Sequence, residues 1–132
     1  MSDIIARALA VKSNLSRLTP NDGKTYQIVA GVLRNNGSGW DFLDNVGHEP
    51  INISTVTNTT TQIHVNYAFT AKKVISFVAT PDETYAIQGL FCGASVGYET
   101  AWIQVSYGDG VVDPNTLTES VGNIWVMGIF EV

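Results

Sequence analysis

Thr61-Gln62-Ile63-His64-Val65-Asn66-Tyr67-Ala68-Phe69 is the stretch on which the fold turns. Ile63, Val65, Tyr67 and Phe69 fall on one side of an extended chain, and Gln62, His64 and Asn66 on the other. Strict alternation of this kind marks a strand with one buried and one wet face, the pattern of antiparallel sheets. The same period extends in both directions. Upstream, Ile51, Ile53 and the Thr-rich run to Thr57 predict a strand that turns at Asn58-Thr59-Thr60. Before it, Tyr26–Leu33 and the run containing Trp40, Phe42 and Val46 flank Arg34-Asn35-Asn36-Gly37-Ser38-Gly39, which predicts a hairpin. Downstream, Val74-Ile75-Ser76-Phe77-Val78-Ala79 is apolar on both faces and reads as an interior strand. Tyr85–Cys92, Ala101–Tyr107 and Asn123–Val132 continue the series, with Trp102 and Trp125 assigned to the core. About eight strands in 132 residues predict one mainly β domain, an antiparallel sandwich or barrel.

One helix is expected. Ile4, Ala8, Val11, Leu15 and Leu18 recur at spacings of four, three, four and three, which line one face of a helix over residues 2–18. Ser2 or Asp3 caps its start, and Pro20 with Asn21-Asp22-Gly23 stops it. The expected organisation is therefore a helical segment over 1–20 and a β body over 24–132. Packing in its own domain is the simplest role for the segment. A short seam between copies in a homo-oligomer is the other.

Charge separates along the same boundary. Residues 1–25 hold four basic and two acidic side chains, a balance of +2, whereas the rest carries three basic and ten acidic, a balance of −7. An acidic body repels phosphate backbones and argues against nucleic-acid binding. No stretch is long and apolar enough to span a membrane, and Met1-Ser2-Asp3 leads into no signal-like apolar core, so a soluble protein made without a cleavable leader is expected. Cys92, a lone thiol in Leu90-Phe91-Cys92-Gly93, is expected to be buried and inert.

The search for chemistry returns little. Gly93-Ala94-Ser95-Val96-Gly97 fits the G-x-S-x-G of a hydrolase nucleophile, but the residues before the next strand are too few for the helix that the motif requires, and both His48 and His64 lie upstream. His64, Asp82 and Ser95 supply the residue types of a triad without any sign that they meet. Two isolated histidines and one cysteine build no zinc site. Asp109-Gly110-Val111-Val112-Asp113 lacks the alternating ligands of a calcium loop. No phosphate cradle is present, and no metal or cofactor is expected. Binding chemistry is better represented. Trp40 and Tyr98 follow or sit among glycine-rich turns, where aromatic faces stack on sugar rings or anchor interfaces, and these two are the predicted ligand-binding residues.

The strings Thr61–Tyr67, Lys73–Glu83 and Cys92–Gly97 together resemble a small β domain of tail- and baseplate-associated virion proteins from tailed phages of Gram-positive bacteria. The resemblance covers less than a third of the chain. It implies a virion-localised, non-enzymatic structural protein with a sandwich or barrel, similar in general shape to the trimeric receptor-binding heads of lactococcal phages. Its implied partners are other virion proteins and host cell-surface saccharide. No binding residue is carried over by it. A saccharide-binding module and a small hydrolase using Ser95 are the alternative functions.

Overall fold

The computed structural model describes residues 17–18, 23–44, 49–108, 110–117 and 122–132. Among the described residues ten strands form two five-stranded antiparallel sheets, with no closed barrel. In the first sheet β2 (Tyr26–Asn35) pairs with β10 (Ile124–Glu131), which pairs with β6 (Lys73–Pro81). The short β1 (Arg17–Leu18) and β3 (Trp40–Phe42) share the other edge of β2. In the second sheet β4 (Ile53–Asn58), β5 (Ile63–Tyr67), β8 (Thr100–Tyr107) and β7 (Leu90–Val96) follow in that order, and β9 (Gly110–Val111) adds to β8.

One core fills the space between the sheets. Val29, Leu33, Ile124, Val126 and Phe130 face it from the first sheet, and Ile63, Val65, Ala101, Ile103 and Val105 from the second. Alternation decides which residues go inward. Along β5, Ile63, Val65 and Tyr67 are buried while His64 and Asn66 stay half-exposed, as the 61–69 pattern requires. The Tyr67 ring packs against Phe69 and Phe130, with centroids 5.7 and 4.6 Å away. Its hydroxyl is buried with no hydrogen-bond partner among the described residues.

Several expectations are corrected. Val74–Ala79 belongs to an edge strand rather than an interior one: among the described residues β6 pairs only with β10, and its Ile75 and Val78 are 47% and 53% exposed. Trp125 is on the outer face, 50% exposed, because β10 sends Ile124, Val126, Gly128 and Phe130 inward. Tyr85 does not open a strand. Asp82 caps a short helix α1 (Glu83–Ile87), accepting at 3.2 Å from the Tyr85 N–H, and β7 starts only at Leu90. Of the expected N-terminal helix, residues 2–16 lie outside the described residues, while Arg17–Leu18, its predicted end, is strand paired with Gln27 and Tyr26. No helix among the described residues is long and apolar enough to cross a membrane.

Burial also fixes a response to alkali. It pushes the Cys92 thiol from 9.0 up to about 12, and Tyr85, with Asp82 adding to its burial, from 10.0 up to about 12; burial raises Tyr67 as well. In the unfolded chain these groups deprotonate from pH 9–10, while the folded chain holds its protons. The stability contributed by these groups is therefore full below pH 9 and declines from there to pH 12. We expect urea midpoints to fall across that window. Tyr67→Phe removes both an ionisable group and an orphaned buried hydroxyl, so it should raise stability at pH 7 by ~1 kcal/mol and flatten the decline. A midpoint lowered at pH 7 would show that the hydroxyl is paired in solution.

Candidate functional site

The outer face of the second sheet carries the polar side of the 61–69 alternation. Register places Thr57, His64, Trp102 and Ser95 in one row across β4, β5, β8 and β7. The next row holds Thr55, Asn66 and Thr100, linked by side chains: Thr100 Oγ1 donates to Asn66 Oδ1 at 2.7 Å, and Asn66 Nδ2 donates to Thr55 Oγ1 at 2.9 Å. A chain of this kind fixes the amide's orientation along the face.

The aromatic part lies beside these rows. Trp102 is half-buried, its ring edge-on to His64 with centroids 6.2 Å apart. The six-membered ring of the indole lies against Gly97. A Cβ at that position would lie 3.3 and 3.5 Å from the Trp102 six-membered ring and 3.1 Å from the Thr100 carbonyl oxygen, so the missing side chain is what lets the ring settle. Gly97, Tyr98 and Glu99 form the β7–β8 turn, closed by Gly97 N–H donating to the Thr100 carbonyl at 2.9 Å. The turn is joined to the loop after β5. Ala71 N–H donates to the Tyr98 carbonyl (2.8 Å), Tyr67 N–H to the Glu99 carbonyl (2.9 Å), and Thr70 Oγ1 to Glu99 Oε1 (3.2 Å).

Two shallow depressions of about 480 and 400 Å³ adjoin there, sharing Thr70, Glu99 and Thr100 in their walls. The larger adds Gly97, Tyr98 and Trp102; the smaller adds Asn66. Tyr98 stands at the rim, 59% exposed. The site combines indole and phenol faces with a carboxylate, an amide and two threonine hydroxyls, a set that stacks on apolar C–H faces while exchanging hydrogen bonds with vicinal hydroxyls.

Of the two predicted ligand-binding residues, the structure puts Tyr98 at this site and Trp40 in the core. Trp40 is 3% exposed and its indole N–H donates to the Pro114 carbonyl at 2.8 Å, so it presents no face to a ligand. Trp102, assigned to the core from sequence, takes the place beside Tyr98. The signal for it is its register: it stands opposite His64, already read as lying on the wet side of β5.

The hydrolase constellation does not assemble among the described residues. Ser95 lies within β7 and is followed by β8, not by a helix. His64 is two strands away, roughly 10 Å between backbones, with Trp102 between them. Asp82 belongs to the other sheet's strand β6 end, where its second oxygen accepts from Asn123 N–H at 2.7 Å. His48 and Asp109 lie outside the described residues. Asp113 caps a 3₁₀ turn (Pro114–Thr116), accepting from Asn115 N–H at 2.9 Å. No cluster of three metal-ligating side chains occurs among the described residues.

Comparison of the chain with known protein families, with curated proteins and with solved structures finds no match.

Proposed function

We propose that this chain is a non-enzymatic β-sandwich module that binds saccharide on the outer face of its second sheet, in the virion, tail-associated setting implied by the resemblance of residues 61–97. One observation carries the binding reading: a half-buried indole on a glycine seat, with Tyr98 at the rim and Glu99, Thr70, Thr100 and Asn66 converging beside it. Aromatic side chains lose little entropy on binding, so a Trp–Tyr pair gives contact at low cost. An acidic body, with the Glu99 carboxylate among the hydroxyls of this face, suits a neutral polyol better than a polyanion. In the virion this face would meet the host's cell-surface saccharide, while other surfaces meet neighbouring virion proteins. Two of the resembling strings, Thr61–Tyr67 and Cys92–Gly97, supply β5 and β7, which flank Trp102 on either side.

The test is titration of the full chain with purified cell-wall polysaccharide from Gram-positive bacteria, followed by tryptophan emission and calorimetry. Saturable binding is expected. Trp102→Ala should weaken it about 30-fold, the equivalent of ~2 kcal/mol, and the exposed Tyr98→Ala should weaken it by a smaller factor with the fold intact. No binding by the unaltered chain, or binding indifferent to both variants, would reject the reading. The virion setting has its own check, which is co-sedimentation of the protein with purified particles rather than recovery from free lysate only.

A further inference from the structure

Among the described residues β6 has a strand on one side only, and none of its nine residues is buried. Its inward side covers the core incompletely. Val74, Phe77 and Ala79 pack against the core yet stay half-buried, as do Cys92 and Val96 on β7 beside it. An edge with apolar side chains on both faces is a template for a further strand, because its outer N–H and C=O groups stand ready to pair.

Two features bound the stretch that can accept one. Ile75 is a bulge: Ser76 stands opposite Ile129 and Val74 opposite Phe130, so Ile75 has no partner residue on β10. Pro81 has no N–H to donate. Ser76–Thr80, between them, is uncharged and in regular register, and Ile75 and Pro81 each lie three residues from Val78. A two-fold axis at Val78 therefore lays Ser76–Thr80 against itself antiparallel, with the bulge of one strand opposite the proline of the other.

The side chains agree with that register. β10 sends Val126 and Gly128 inward, so their partners Ala79 and Phe77 face inward too, and Ser76, Val78 and Thr80 face outward. On the inner side Phe77 of each copy falls opposite Ala79 of the other, large against small, and closes over the core that β6 leaves half-covered. On the outer side Val78 meets Val78, with Ser76 opposite Thr80 to left and right. Cross-strand pairs of this kind stabilise a ladder. Charge agrees as well. Exposed Lys72 and Lys73 precede the ladder and exposed Glu83 follows it, so antiparallel pairing brings the lysines of one copy toward the glutamate of the other. A strand of unrelated sequence would share the backbone hydrogen bonds but none of these matches.

We propose that a second copy of the chain docks at this edge, β6 against β6 about a two-fold axis at Val78, joining the two first sheets into one. The same patch is used by both partners, so the pairing closes on itself and yields a dimer rather than a fibre.

Sedimentation equilibrium of the full chain tests the association. A concentration-dependent dimer is expected. Val78→Lys alters an exposed side chain and sets two ammonium groups against each other at the axis, so it should weaken the dimer at least ~10-fold, with near-ultraviolet dichroism verifying the fold. A chain still monomeric at ~1 mM, where even weak association is visible, would overturn the proposal, and so would a dimer indifferent to Val78→Lys. Cross-linking reads the register. Opposed residues in an antiparallel pair have Cα atoms ~4.5–5.5 Å apart, within the span of a disulfide. In a Cys92→Ala background, Val78→Cys should therefore oxidise to a covalent dimer several-fold faster than Gln104→Cys on the exposed face of β8. Equal rates would assign the contact to another surface and overturn docking at this edge.

Discussion

Trp40→Ala is expected to lower the stability of the fold by ~3–5 kcal/mol, the range for truncating a fully buried large aromatic side chain. The loss is more than volume. The ring of Trp40 fills one end of the space between the sheets, and its N–H satisfies the Pro114 carbonyl at 2.8 Å. Its backbone N–H donates to Asn58 Oδ1 at 3.0 Å, and Asn58 Nδ2 reaches Asn115 Oδ1 at 2.8 Å. The β2–β3 hairpin, the turn after β4 and the 3₁₀ turn are thus joined through one side chain and its nearest polar neighbour. Buried Asn35 reinforces the junction by donating to the Leu117 carbonyl. Trp40→Phe keeps most of the ring contact and orphans one carbonyl, so it should cost less, ~1–3 kcal/mol. Urea unfolding of both variants measures the difference. A cost below 1 kcal/mol for the alanine variant would mean that the three turns hold without the indole.

Gly128→Val should be comparably damaging for the opposite reason. Gly128 sits mid-way along β10, between Val29 on β2 and Phe77 on β6. A Cβ there would lie 2.6 Å from Phe77 Cδ2 and 2.8 Å from Phe130 Cε2, and both rings sit in or against the core. Overpacking costs ~1–3 kcal/mol and occasionally more, and here two aromatic rings must shift together. The control is Gly93→Ala on β7, where an added Cβ meets nothing within 4 Å. Thermal unfolding should show a depressed midpoint for Gly128→Val and an unchanged or slightly raised one for Gly93→Ala. Equal effects at the two positions would reject the packing argument.

The strands were largely legible in the sequence because one face of most of them is wet. The 61–69 alternation gave the correct inward and outward sets for β5, and turn-forming residues placed the β2–β3 hairpin and the bend after β4. Reading failed where polarity did not vary between the two faces. Ile124–Phe130 and Val74–Ala79 are apolar on both sides, so neither the phase of Trp125 nor the edge position of β6 could be deduced from period alone. The helix α1 was missed because Thr80-Pro81-Asp82-Glu83 reads as a breaker, and Asp82 serves as a cap only through the geometry it adopts. The exposure of Tyr98 was legible in its glycine-rich turn. The same clue misplaced Trp40, since a residue following a loop is as free to turn into the core as away from it. Trp102 needed the pairing of β8 with β5, which is long-range information.

The turn at 97–99 and the loop after β5 are clasped main chain to main chain, through the Tyr98 and Glu99 carbonyls. The shape of that corner therefore owes little to which side chains it carries. Tyr98, Glu99 and Thr70 can be exchanged for other residues without disturbing the frame that presents them. Such a corner is suited to retuning: a few substitutions at the rim would change the chemistry it presents while the sheets beneath stay as they are.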